Sequence, residues 1–170
     1  MSLHGHDPPW FDSAHPPLRR WACDGILCAI GNGGGPALDG FVRVPEGHPW
    51  RRFTDYRDIP VVVHGGLTHG PRPPRRGLGR PPGVAGSPPA ATWHDTLGWI
   101  GFSTDHAGDL WPDAELTASG IVRHEAFDEL RRLQRTIHQA APEMLRTTWT
   151  LARLIAEIEQ LAGQVADGLW

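Results

Sequence analysis

Apolar positions gather in four short runs over the first two thirds of the chain. Gly25–Ile30 (GILCAI) is continuous, Gly40–Val44 (GFVRV) alternates, Val61–Val63 is brief, and Gly98–Ser103 (GWIGFS) carries Trp99, Ile100 and Phe102. Each is bounded by glycine, proline or polar residues, so each predicts a strand. The last third changes period. Ala126, Leu130, Leu133 and Ile137 recur at helical spacing across 122–140, and Pro142 ends that pattern. Leu151, Leu154, Ile155, Ile158, Leu161, Ala162 and Val165 then form one helical stripe, with Thr147 or Thr148 as its expected cap and Gly168 as its stop. The expected fold is α+β: a small, mostly antiparallel sheet packed against two C-terminal helices. The second stripe exceeds what a small sheet must cover, which predicts a homo-oligomer, a dimer ahead of larger assemblies, with the last helix contributing to its interface.

Polar and proline-rich stretches punctuate this pattern. Residues 1–20, with His4, His6, Pro8, Pro9, Pro16 and Pro17, read as a flexible arm, and 21–170 as a single domain. Gly70–Ala91 holds seven prolines, five glycines, four arginines and no acid, so it predicts an exposed loop with no core of its own.

Composition narrows the chemistry. The 170 residues carry a formal net charge of −3, which argues against generic coating of nucleic acid and predicts no sequence-specific nucleic-acid partner. All 16 basic residues are arginine, so neither a Walker A lysine nor a Schiff-base lysine is available. The two cysteines, Cys23 and Cys28, are too few for a disulfide scaffold or a thiolate zinc site. No apolar stretch approaches a membrane span, and the first twelve residues lack the pattern of a secretion signal. A cytoplasmic protein with no membrane partner is expected.

Chemistry-bearing residues concentrate between Glu46 and Asp109, in three knots: Pro45–Trp50 (PEGHPW), Val63–Thr68 (VHGGLT) and Asp105–Asp109 (DHAGD). His64 ends an apolar run and precedes Gly65 and Gly66, whose turn can present backbone N–H groups to an anion. Asp109 can fix the tautomer of His106, or share a metal with it. A catalytic metal needs about three protein ligands, and His64, His106 and Asp109 supply them only if the fold unites them. A ligand contact is therefore expected ahead of a metal, and neither a metal nor another cofactor is assigned. Glu46 and His48 are placed at the edge of the same pocket, with Trp50 or Trp111 on its wall to stack a planar base. There is no G-x-S-x-G nucleophile elbow, and GNGGG at Gly31 lacks the dinucleotide fingerprint.

Taken in order, Asp39–Trp50 (DGFVRVPEGHPW), Val63–Thr68, Gly101–Phe102 and His106–Asp109 resemble the pattern NGYVxVPxxHP, VHGGLTY, GFDCAHxGD of a group of small bacteriophage and prophage proteins. Two positions depart from it: Ser103 stands where the group has Asp, and Asp105 where it has Ala. The resemblance implies a phage origin and the cytoplasm of an infected bacterium. By analogy with other small phage proteins, it implies counter-defence: sequestration of a nucleotide-derived immune signal, a cyclic oligonucleotide or an ADP-ribose derivative. The rival readings are a phosphodiesterase-type hydrolase using His64, His106 and an Asp, and a non-catalytic module that binds a protein through the helical stripe.

Overall fold

Asp24 and Gly25 sit at φ of 50° and 78°, the backbone of a two-residue hairpin turn whose twist suits the strands it joins. They connect β1 (Arg19–Cys23) to β2 (Ile26–Gly31). β3 (Asp39–Arg43) and β4 (Trp99–Ser103) complete a fully antiparallel sheet in the order β1-β2-β3-β4. The register pairs Cys28 with Val42 and Val42 with Ile100, so Ile26, Cys28, Ile30, Val42, Ile100 and Phe102 share one face. The structure is a computed structural model and describes residues 7–11, 16–32, 37–73, 91–120 and 125–168.

After β4 come β5 (Asp109–Leu110), a short helix α1 (Asp113–Ala118), α2 (Glu125–Ala140), β6 (Thr147–Thr148) and α3 (Leu151–Asp167). α3 lies on the core face of the sheet. Its Leu154, Ile158, Leu161 and Val165 are fully buried, each contributing about 1.5–3 kcal/mol through burial. Gly40 lets the helix come close: a Cβ there would stand 2.6 Å from Ile158 Cγ1. The helix cap is Thr150, whose hydroxyl accepts from Arg153 N, rather than Thr147 or Thr148, which form β6.

The α+β class holds, with α3 on the sheet; among the described residues α2 packs chiefly against the turn at Pro142–Met144, with Leu133 55% and Ile137 40% exposed. Of the α3 stripe invoked for a dimer, Leu154, Ile158, Leu161 and Val165 are buried within one chain, while Leu151 and Ile155 are half-buried. The arm is in part ordered structure. Arg19 and Arg20 belong to β1, and Trp10 stacks on Phe41 at 5.4 Å while Phe11 meets it edge-on. These rings cover the opposite face of the sheet, over Ala29, Phe41 and Trp99. Both faces are thus apolar, which explains why β2 and β4 read as continuous runs.

Val61–Val63 forms no strand. It runs along α3, where Gln164 substitutes for a neighbouring strand: Val62 N donates to Gln164 Oε1 and Gln164 Nε2 donates to Val62 O, both at 2.8 Å. The β4 edge is occupied instead by His69, which exchanges backbone hydrogen bonds with Gly101. Most of the loop expected at Gly70–Ala91 lies outside the described residues; an antiparallel bridge between Arg72 and Ala91 joins its ends.

Candidate functional site

The chain reaches His64 from α3 and leaves it toward β4. His64 N donates to Glu157 Oε1 at 2.8 Å, pinning the residue to the helix. Gly65 and Gly66 then turn at φ of 66° and 79°, and Thr68 N and His69 N donate to Gly101 O. This bridge sets His64 beside the segment that leaves β4, which carries His106 and Asp109. Asp109 is held in turn from the other side, as β5 pairs in parallel with β6.

The result is a His–Asp–His cluster. His64 Nε2 lies 3.0 Å from both carboxylate oxygens of Asp109. His106 Nδ1 lies 3.1 Å from Oδ2, and the His106 backbone N–H donates to that oxygen at the same distance. The Asp109 side chain is 3% exposed, whereas His64 and His106 are 23% and 33% exposed. A buried carboxylate needs such donors, since an unpaired one would be strongly disfavoured. One ligand atom from each of the three residues can be chosen so that all lie within 4.8 Å of one another. This nitrogen and oxygen set is of a kind that divalent transition ions accept.

Close packing at the cluster requires glycine. A Cβ on Gly65 would stand 2.3 Å from His106 Cε1, and one on Gly108 would stand 2.7 Å from Met144 O. Beneath His64 lies Trp149, fully buried and edge-on at 4.8 Å. Its indole Nε1 has no hydrogen-bond partner among the described residues. The Arg153 guanidinium lies over this ring, 5.2 Å from its centroid. A small cleft next to Asp109, lined by Thr104, Asp105 and Trp111, has room for about one water molecule.

Not all the expected residues meet here. Trp111 stacks on Trp149 at 6.0 Å, one layer removed from His64, and its indole N–H donates to Thr104 Oγ1. His48 is elsewhere and fully engaged: Trp50 N donates to its Nδ1 at 3.0 Å, and its Nε2–H donates to Val165 O at 2.9 Å. Val165 follows Glu157 by eight residues, about 12 Å along α3. Burial lowers the His48 pKa, keeping the ring neutral for these bonds. Trp50 packs edge-on against His48, and Glu46 is exposed in the preceding turn. None of these three contacts the cluster. The Gly65–Gly66 turn also offers fewer donors than expected, because Gly66 N closes onto Val63 O. Sequence reasoning missed Trp149 and Glu157. Trp149 enters the sequence reading only through the segment Arg146–Trp149, which resembles the start of the last helix in the bacteriophage and prophage group, with no role in the site.

Fold and site together define an α+β protein in which a four-stranded antiparallel sheet and its C-terminal helix position a His–Asp–His cluster. No protein-family model matches the sequence, and neither a curated protein nor a solved structure matches it. Among the described residues, no helix is long and apolar enough to cross a membrane.

Proposed function

We propose that the protein is a hydrolase acting on a phosphodiester or related bond of a small nucleotide-derived signal, in the service of phage counter-defence. The observation that carries this reading is the convergence of His64, His106 and Asp109, two part-exposed imidazoles on one buried carboxylate. Imidazole paired to a carboxylate is suited to taking and returning a proton near neutral pH. The reaction is addition of water at phosphorus, with departure of one bridging oxygen, which takes up a proton. Arg153, exposed and stacked on Trp149, and Arg146, next to Gly108 through Arg146 N donating to Gly108 O, give the surroundings a positive flank for an anionic substrate. Among the described residues neither guanidinium makes an ion pair.

Hydrolysis is preferred over sequestration because two part-exposed imidazoles on one buried carboxylate are proton-transfer groups, which sequestration does not need. The test is incubation of the full chain with cyclic oligonucleotides, ADP-ribose derivatives and bis(p-nitrophenyl) phosphate, followed by heating and mass spectrometry. Products that disappear in His64→Ala and His106→Ala are expected. Recovery of an intact bound ligand would overturn hydrolysis in favour of sequestration.

A further inference from the structure

His64 lies 45 residues before Asp109, while His106 and Asp109 share one turn, and the polar atoms of all three face one point. In the form described, that point is closed by hydrogen bonds: both imidazoles give an N–H to the same carboxylate at 3.0–3.1 Å. A divalent cation could take the place of those two hydrogen bonds once each neutral imidazole carries its proton on its other ring nitrogen, His64 Nδ1 and His106 Nε2. Donors about 2.0–2.2 Å from a tetrahedral zinc ion stand roughly 3.4 Å apart, so ligand atoms that lie within 4.8 Å of one another need to close by at most about 1.4 Å. Both rings are part-exposed and can turn that far, while Asp109 is fixed by the β5–β6 pairing.

We propose that His64, His106 and Asp109 form a three-ligand site for a divalent transition-metal ion of the zinc class, with its remaining positions open to water and a phosphate oxygen. This rests on the cluster being the functional site, and it names the group that polarises the attacking water. Two imidazoles and one carboxylate select against magnesium and calcium, which prefer all-oxygen surroundings. Three protein ligands with an open side are the arrangement of a catalytic ion; a structural ion is closed by four. The exposure gradient agrees, since the carboxylate is buried and solvent reaches the site over the two rings. The support around the ligands has the form metal sites need. Glu157 holds the His64 backbone, Trp149 forms an apolar floor, and Gly65 leaves space for the His106 ring.

The experiment uses the full chain stripped with a chelator and titrated with Zn²⁺, with Co²⁺ as a visible stand-in. One ion per chain is expected, with a Co²⁺ absorption band that Zn²⁺ displaces. His64→Ala, His106→Ala and Asp109→Ala should each weaken Zn²⁺ binding at least tenfold, and His94→Ala, an exposed histidine outside the cluster, should not. Binding that the first two variants leave unchanged would overturn the proposal, as would the absence of stoichiometric binding. Should a variant fail to fold, wild-type protein decides: Zn²⁺ must protect His64 and His106 from diethyl pyrocarbonate, and unprotected rings overturn the site. Zn²⁺ binding without turnover of any probe supports the metal site and removes the hydrolase reading. Turnover that persists with no ion bound removes the metal site and leaves hydrolysis standing.

Discussion

Alanine at Gly65 and at Gly66 separates the geometry of the cluster from the strain of its turn. Both residues lie in the left-handed region, at φ of 66° and 79°, where a side chain costs about 1–2 kcal/mol. For a chain of this size that lowers the Tm by about 2–8 °C in either variant. Their surroundings differ. A Cβ at Gly66 meets nothing within 4 Å, whereas one at Gly65 would stand 2.3 Å from His106 Cε1 and 2.4 Å from Nε2. Ordinary contact begins near 3.5 Å, so the His106 ring must retreat by roughly 1 Å. It can swing outward because it is only part-buried, so the fold survives while the three-residue arrangement is lost. A displacement of that size costs about 10²-fold in turnover where chemistry depends on placement.

Gly65→Ala should therefore lose about two orders of magnitude in hydrolysis and most of its Zn²⁺ affinity, while Gly66→Ala retains both. The two should melt within a few degrees of each other. Thermal unfolding, Zn²⁺ titration and imidazole NMR of His106 measure the three quantities. Equal activity and equal Zn²⁺ affinity in the two variants would show that His106 has no part in the site.

Other residues give outcomes of different kinds. His48→Ala removes a ring with two buried hydrogen bonds and should destabilise the fold by about 2–4 kcal/mol in chemical denaturation, with Zn²⁺ affinity unchanged. His69 packs edge-on against both Trp10 and Phe41, and burial lowers its pKa from 6.5 to about 4. The unfolded chain then takes up the proton first, so stability is full above pH 6.5 and declines by about 3 kcal/mol as the pH falls to 4. His69→Gln should flatten that part of the stability–pH curve. Replacing 74–90 with a short glycine linker should leave the unfolding midpoint within a few degrees, because the Arg72–Ala91 bridge already closes the loop.

The strands β2, β3 and β4 and the helix α3 could be read from the sequence because their apolar residues are consumed locally, by one helix against one sheet. β1 could not. Its RRWAC presents two arginines and a half-buried Trp21, and its real signal was the Asp24–Gly25 pair that follows. Val61–Val63 has strand composition, but its partner is a side chain on α3, which hydrophobic pattern cannot reveal. At the site, His64, His106 and Asp109 stood out through the glycine turns beside them. His48 had the same appearance, a histidine next to Gly47 and Pro49. What distinguishes it is that Trp50 N and Val165 O occupy both ring nitrogens, a tertiary fact.

The manner in which His64 is held ties the site to the helix that makes the core. The segment 61–66 has no strand to lean on, and its backbone is fastened to α3 by Gln164 at Val62 and by Glu157 at His64. Those two side chains are seven residues apart, two helical turns, and so lie on one face of α3. The buried stripe Leu154, Ile158, Leu161 and Val165 is what seats that helix against the sheet. On the other side, Asp109 depends on β6, which immediately precedes Trp149 and the Thr150 cap. Both halves of the cluster are therefore referenced to the same helix, one through its side chains and one through the chain entering it. A shift of α3 on the sheet would pull on His64 and Asp109 from opposite ends, so the packing that stabilises the fold is also what fixes the distance between an imidazole and its carboxylate.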